Sequence, residues 1–218
     1  QCPRRKRPDV ANFWFRTLGV RQHTSAEGKE KTANDVIIKG VFQGVDLLPS
    51  HLDLFTIDLD LSSEVARESR LRRAIRDVLS NYDIIVCDCP PNLTIPTQNA
   101  LAISTHFVVP VALDFLSSLG IALLLNRIAK LSELLENPLK NAGIVISRVG
   151  RTSYFRSQTA QTLRTAFKNM VLSTQITERA SVAQSAAKNC SIFDMGDAAA
   201  SAEFASLGAE LLAKLTAK

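Results

Sequence analysis

Tyr82–Asn99 reads YDIIVCDCPPNLTIPTQN, and the fold turns on this stretch. Asp83–Cys87 (DIIVC) is a short apolar, β-branched run, which predicts a buried parallel strand. The run ends in Asp88-Cys-Pro-Pro, where a strand must stop, because proline has no amide hydrogen to give a ladder. This places a carboxylate, Asp88, at the carboxyl end of a strand, which is where open α/β sheets bind ligands. A lone aspartate there suits Mg²⁺ and a phosphate, since hard cations take oxygen ligands and keep several waters.

Around it the pattern alternates. Val45–Ser50 predicts a short strand ending in a turn, and Asp60–Ser80 predicts a helix with Leu71, Ile75, Val78 and Leu79 at helical spacing. Ser62 or Ser63 can cap its start. After the Asp83–Cys87 run, strands are expected over Phe107–Val111, Asn141–Ser147 and, more weakly, Val171–Ile176. Helices are expected over Ser117–Leu135, within Arg148–Lys168, over Arg179–Lys188 and over Asp197–Leu215. Phe155, Leu163 and Phe167 form the predicted apolar side of the second of these. Phe204, Leu207, Leu211 and Leu215 form that of the last. Such alternation implies right-handed crossovers and a mostly parallel sheet with helices on both faces. Residues 9–218 are expected to form a single α/β domain.

The totals narrow the function. With 46% hydrophobic and 22% charged residues the chain is of ordinary globular composition. No run approaches the roughly 18 apolar residues of a membrane span. The start is basic and has no apolar segment behind it, so no signal peptide is expected and the expected location is cytoplasmic. Of the net charge of +5, four charges come from Arg4-Arg5-Lys6-Arg7, so the body is close to neutral. Gln1–Pro8 is expected to be a disordered tail, with a basic arm that touches DNA as the alternative. Any nucleic-acid affinity of the body must come from a local patch. The candidate is Arg148, Arg151, Arg156, Arg164 and Lys168, a run of 21 residues with no acidic side chain. Cys2, Cys87, Cys89 and Cys190 lack metal or redox spacing, and the expectation is reduced, small, buried residues. Gly28-Lys29 hints at a phosphate-binding loop, but one glycine with no strand before it cannot converge backbone amides on a phosphate.

Four segments together resemble the ParA/MinD branch of P-loop ATPases, and within it the ParA-type partition ATPases. Tyr82–Asn99 resembles the family's Walker B strand and switch, and Phe107–Gly120 (FVVPVALDFLSSLG) its following strand and loop. Val45–Leu54 (VDLLPSHLDL) and Ile192–Leu212 (IFDMGDAAASAEFASLGAELL) resemble its "DLIPSNxxL" stretch and its C-terminal helix. The resemblance implies a P-loop NTPase-like fold, ATP and Mg²⁺ as cofactors, and Asp88 acting on the metal through a water. Pro90, Pro91 and Asn92 would form a switch sensing the γ-phosphate, and Asn99 would start the helix behind it. Ser147, Arg148, Thr177 and Arg179 would fall in the base-binding loops, although Ser147 departs from the usual Asn. Implied partners are non-specific DNA, a ParB-like centromere-binding protein and a second copy of the chain, with the protein on the nucleoid.

One departure is large. The family's first strand and KGGxGKT-type loop are not found in these 218 residues. The expectation is therefore a fold lacking the first strand and P-loop, poorly stable alone, and a chain that is a fragment without catalytic competence. The alternative is a non-catalytic ParA-derived module that keeps a DNA or partner surface. A division-site ATPase is disfavoured because Asp197–Lys218 is Ala-rich with few basic residues. A cluster-binding reductase is disfavoured because Cys87 and Cys89 sit on the strand and turn themselves.

Overall fold

The computed structural model describes residues 32–50, 67–135, 138–151 and 153–216. The basic tail, the Gly28-Lys29 stretch and the start of the predicted helix at 60–66 lie outside the described residues. The chain divides into two compact units, within 4–104 and 105–218.

In the first unit a short helix α1 (Ala33–Val36) leads into a hairpin of β1 (Ile38–Phe42) and β2 (Val45–Leu47). The pair is antiparallel, with Ile38 opposite Leu47 and Phe42 opposite Val45. Gly44 makes the turn at φ +72°, a conformation that costs a glycine nothing. The hairpin is tied down by Asp46. Its carboxylate accepts from Lys39 Nζ (2.8 Å), from the Gly40 amide (2.8 Å) and from Tyr82 Oη (2.9 Å). The Lys39 and Gly40 hydrogen bonds, with that of Tyr82, hold the Asp46 carboxyl at about 2. The segment after residue 66 is a 3₁₀ turn (Arg67–Ser69), helix α2 (Arg70–Ile75) and a second 3₁₀ stretch (Arg76–Asn81). Leu71, Ile75 and Val78 are buried as their spacing predicts, and pack with Ala33 and Val36.

Helix α3 (Ile95–Ile103) is fixed by Asn99, which is 1% exposed. Its Oδ1 accepts from the Leu71 amide (3.0 Å), and its Nδ2 donates to the carbonyls of Arg67 (2.8 Å) and Ile95 (2.9 Å). One side chain thus satisfies an otherwise free amide at the start of α2, where no backbone partner exists.

The predicted strand Asp83–Cys87 is not formed. The segment lies outside every strand, and Ile84, Ile85 and Val86 are 53%, 45% and 87% exposed. The cause is pairing. A strand exists only where a neighbour supplies ladder partners, and among the described residues none runs beside this segment. The apolar run therefore keeps its strand-like composition without a sheet to bury it.

In the second unit the parallel sheet is present. β3 (His106–Ala112), β4 (Lys140–Val149) and β5 (Val171–Thr177) lie in the order β3-β4-β5, both pairs parallel. Side chains alternate across β4. Ile144 and Ile146 point to one face, packing with Val109, Val111, Ile121 of α4 (Phe115–Ser132) and Leu163 of α5 (Tyr154–Phe167). Val145 joins Leu172 and Ile176 on the other face, under Phe204, Leu207 and Leu211 of α7 (Ala198–Thr216). Helices thus cover both faces, and a further short helix, α6 (Ala180–Lys188), follows β5. On α5, Leu163 and Phe167 face the core as expected, but Phe155, at the start of the helix, is half exposed. The β3–β4 register slips between Phe107 and Val108, whose partners are Asn141 and Gly143. Gly143 there has φ +150°, and a Cβ on it would lie 2.5 Å from Leu172 Cδ2. Among the described residues no helix is long and apolar enough to cross a membrane.

β5 is an edge strand of this sheet, and two glutamates one heptad apart on α7 close its edge. Glu210 accepts from the amides of Ser173 (2.7 Å) and Thr174 (2.9 Å). Glu203 accepts from the Thr177 amide (2.8 Å), the Thr177 hydroxyl (2.8 Å) and Arg179 Nη2 (2.9 Å). Unpaired edge amides invite pairing with another chain, and carboxylates block that. Burial alone would raise the Glu210 carboxyl, but the amides of Thr174 and Ser173 outweigh it and hold it at about 2.

Two outcomes follow from these contacts. The folded Glu210 carboxyl lies below its ordinary 4.5, so its contribution is complete above pH 4.5 and is lost as pH falls toward about 2. Urea unfolding across that window is expected to show a stability loss that Glu210→Gln flattens; an identical acid limb in the variant would contradict the clamp. Asn99→Leu removes the partners of the Leu71 amide and the Arg67 carbonyl, and is expected to lower stability by about 2–4 kcal/mol in the same assay.

Candidate functional site

The Asp88 segment begins at an anchor and ends at a helix. Tyr82 is held by Lys39 and Asp46, and Lys39 Nζ also sits 5.1 Å from the Tyr82 ring centroid. From there Asp83–Pro90 lies outside helix and strand, and Asp88, Pro90, Pro91 and Asn92 are all exposed. The turn that follows is organised by the next helix. Thr97 Oγ1 donates to the Asn92 carbonyl (2.7 Å), and Gln98 Nε2 donates to that of Leu93 (2.9 Å). Pro96 lies in the first turn of α3, where its missing amide costs nothing. Asp88, Pro90, Pro91 and Asn92 thus form one exposed stretch between two fixed points. Asn99 stands apart from them, buried, with its amide group used to hold α3 against Arg67 and Leu71.

Cys87, Cys89 and Cys190 are free thiols. The expectation that they are buried fails for all three: Cys87 and Cys190 are half-buried, and Cys89 is exposed with its thiol turned back on the Cys87 carbonyl (3.6 Å). Desolvation, with the nearby Cys87 and Asp88, pushes the Cys89 thiol up to about 11.

As a donor set, Asp88 offers one exposed hard carboxylate, which suits a divalent cation that keeps most of its waters. Among the described residues no group of three His, Cys, Asp or Glu side chains forms a closed metal site. Nor do the described residues form a glycine-rich cradle at a helix start, so the phosphates of a nucleotide find no set of converging amides among them.

In the second unit the sheet gathers the other candidates. Ala112 pairs with Ser147 and Val149 with Thr177, so the carboxyl ends of β3, β4 and β5 share one edge. Ser147 Oγ donates to the Val111 carbonyl (3.4 Å). Arg148, at φ +53°, pairs with Glu178 (3.3 Å), whose amide donates to the Val149 carbonyl (2.9 Å). Thr177 and Arg179 are both held by Glu203. Asp197 caps α7 through the Ala200 amide (3.0 Å) and accepts from Ser181 Oγ (2.6 Å). Of the four residues implied for base-binding loops, Ser147, Arg148, Thr177 and Arg179 all lie at this edge, engaged in contacts within the unit.

The five basic residues of 148–168 divide into two groups. Arg148, Arg151 and Arg156 sit at the carboxyl edge. Ser153 caps α5 by accepting from the Arg156 amide (3.3 Å), and Arg156 Nη1 donates to the Arg151 carbonyl (3.0 Å). Arg164 and Lys168 lie two to three turns further along α5, about 12–18 Å away at 1.5 Å per residue. Arg164 Nη1 donates to the Leu172 carbonyl (3.1 Å) and holds the start of β5. Linear spacing cannot show this division. Nor does it single out Glu203 and Glu210, although their separation of seven on one amphipathic helix was the available signal.

A family model described as an AAA domain matches residues 17–141, more than half of the chain. The cell division protein PomZ of Myxococcus xanthus is 32% identical over 177 residues, covering 77% of this chain and 56% of that protein. The chromosome partitioning protein ParA of Caulobacter vibrioides is 28% identical over 165 residues, covering 74% of this chain and 62% of that one. The chain thus spans little more than half the length of these curated relatives. Among solved structures, apo McdA of Cyanothece superposes with a TM-score of 0.73 over 94% of this chain and 84% of that one, at 15% identity, a likeness of fold. An ATP complex of a McdA variant superposes similarly, with a TM-score of 0.71 over 90% of this chain and 80% of that one, at 14% identity. With its α/β fold and parallel sheet, the chain belongs to this AAA-domain family, as a ParA-type member.

Proposed function

We propose that the chain serves plasmid or chromosome partitioning as a ParA-type protein. In this reading ATP and Mg²⁺ drive dimerisation and non-specific DNA binding on the nucleoid, in the cytoplasm. A ParB-like centromere-binding partner stimulates hydrolysis. The observation that carries the reading is the family match across residues 17–141, which includes the Asp88-Cys-Pro-Pro stretch. Support for the nucleotide comes from the ATP complex of the McdA variant, a protein of the same fold.

Within this reading Asp88 orients a water of the Mg²⁺ shell, and Pro90, Pro91 and Asn92 move with the γ-phosphate. Their exposure, between the Tyr82 anchor and the Thr97 and Gln98 contacts, suits a segment that changes position between fixed ends. Mg²⁺ would supply charge neutralisation at the phosphates. The chain's own contribution is the placement of one carboxylate and a stiff Pro-Pro turn.

The 218 residues by themselves are proposed not to turn over ATP, because the described residues offer Asp88 without converging amides. That same observation favours the second reading, a non-catalytic ParA-derived module that binds DNA or a partner. Thermal unfolding separates the two states of the site. The expected result is no shift on adding ATP and Mg²⁺; a clear shift that disappears in Asp88→Ala overturns the claim that the site is incomplete.

DNA contact is proposed for Arg148, Arg151 and Arg156, with Arg164 and Lys168 as a separate, more distant pair. Duplex binding measured by anisotropy is expected to weaken steeply with salt. Replacing Arg148, Arg151 and Arg156 by Glu is expected to reduce the log–log salt slope by about 3. An unchanged slope and affinity remove this assignment.

A further inference from the structure

We infer that Tyr154 and Phe155, flanked in sequence by Arg148, Arg151 and Arg156, form a stacking surface for unpaired nucleobases, so that the chain holds single-stranded nucleic acid more tightly than duplex. The inference rests on the proposed nucleic-acid contact of these arginines and specifies its form.

The two rings open helix α5 and are 80% and 50% exposed. Neither is needed by the core, since Thr159 and Leu163 are the buried residues of that helix. Large aromatic side chains left in water cost free energy unless a partner covers them, and here two stand side by side in sequence. They are also held in place. Ser153 caps the helix beneath them, and Gln158 Nε2 donates to Tyr154 Oη (2.7 Å), which restrains that ring. A ring fixed before binding loses little entropy when a base stacks on it.

The cations beside the rings choose the partner. Arg156 folds back toward Gly150, where a Cβ would lie 2.5 Å from its Nη1 and 3.2 Å from Glu178 Oε2. Arg148 pairs with Glu178. Three arginines against one glutamate leave a net charge of about +2 at the loop that leads into the helix carrying the rings. The stretch 148–168 has no acidic residue, so the partner must bring the negative charge. Phosphates spaced along a strand meet the arginines, and bases meet the rings. A duplex offers the same phosphates but keeps its base faces stacked inside, whereas a single strand offers both.

The test compares a fluorescent oligodeoxythymidine with a mixed-sequence duplex of equal length, by anisotropy at one salt concentration. The expected result is tighter binding of the single strand. Tyr154→Leu combined with Phe155→Leu, which keeps apolar area but removes the rings, is expected to weaken it by about ten-fold or more while leaving the duplex unchanged. Tyr154→Phe combined with Phe155→Tyr is expected to restore it. Equal loss on both nucleic acids, or no loss on either, overturns the stacking inference. If the leucine variant is silent while Arg148→Glu with Arg151→Glu abolishes binding, stacking falls and the DNA contact stands. If the unmodified chain binds neither nucleic acid, both fall.

Discussion

The second unit depends on the burial of β4 on both sides at once. Ile144 and Ile146 are fully enclosed on one face and Val145 nearly so on the other. Each such side chain is worth roughly 1.5–3 kcal/mol when removed from water. Three of them match the whole net stability of a typical domain, which is about 5–15 kcal/mol. That burial requires a helix layer on each face, and α4 with α5 supply one and α7 the other. It also requires close approach of β4 and β5, which Gly143 permits beside Leu172. Once the three strands are parallel and in register, their carboxyl ends meet at one edge. Ser147, Arg148, Thr177 and Arg179 are brought together there as a consequence of packing, without any direct attraction between them.

Asp83–Cys87 shows the same rule from the opposite side. Its residues have the composition of a strand buried on both faces, like β4. Without a ladder partner among the described residues, Ile84, Ile85 and Val86 stay in water. The contrast extends to the carboxylates. Glu203 and Glu210 are spent on the β5 edge and are unavailable for chemistry, whereas Asp88 stands at the end of an unpaired segment with its oxygens exposed. Among the described residues the first unit presents the Asp88 stretch between two anchors, the Asp46–Tyr82 hydrogen bond and the Asn99-fixed helix.

Much of this was legible in the sequence. Alternating β-branched runs located β3, β4 and β5, and helical spacing located α7 with Phe204, Leu207 and Leu211 inward. The family was legible from Asp88-Cys-Pro-Pro and its flanks. What was not legible depended on partners distant in the chain. The hydrophobic period of Asp83–Cys87 reports what the segment could bury, and says nothing of whether a neighbour is there. Asn99 reads from the resemblance as the start of the helix behind the switch, while its three hydrogen bonds to backbone groups leave no sequence signature. Phe155 fits a helical apolar stripe, yet the first turn of α5 projects past the sheet. The basic run of 148–168 reads as one patch only while the length of α5 is ignored.

The most direct measurement is amide hydrogen exchange resolved by segment under native conditions. Amides of 144–146 should be among the slowest to exchange, because opening them requires unfolding the sheet and both helix layers. Amides of 84–87 should exchange close to the unprotected rate, since no ladder among the described residues holds them. Protection of 84–87 equal to that of 144–146 would mean that this segment is a paired strand after all, and would contradict the account of Asp88 as a carboxylate on an unpaired segment.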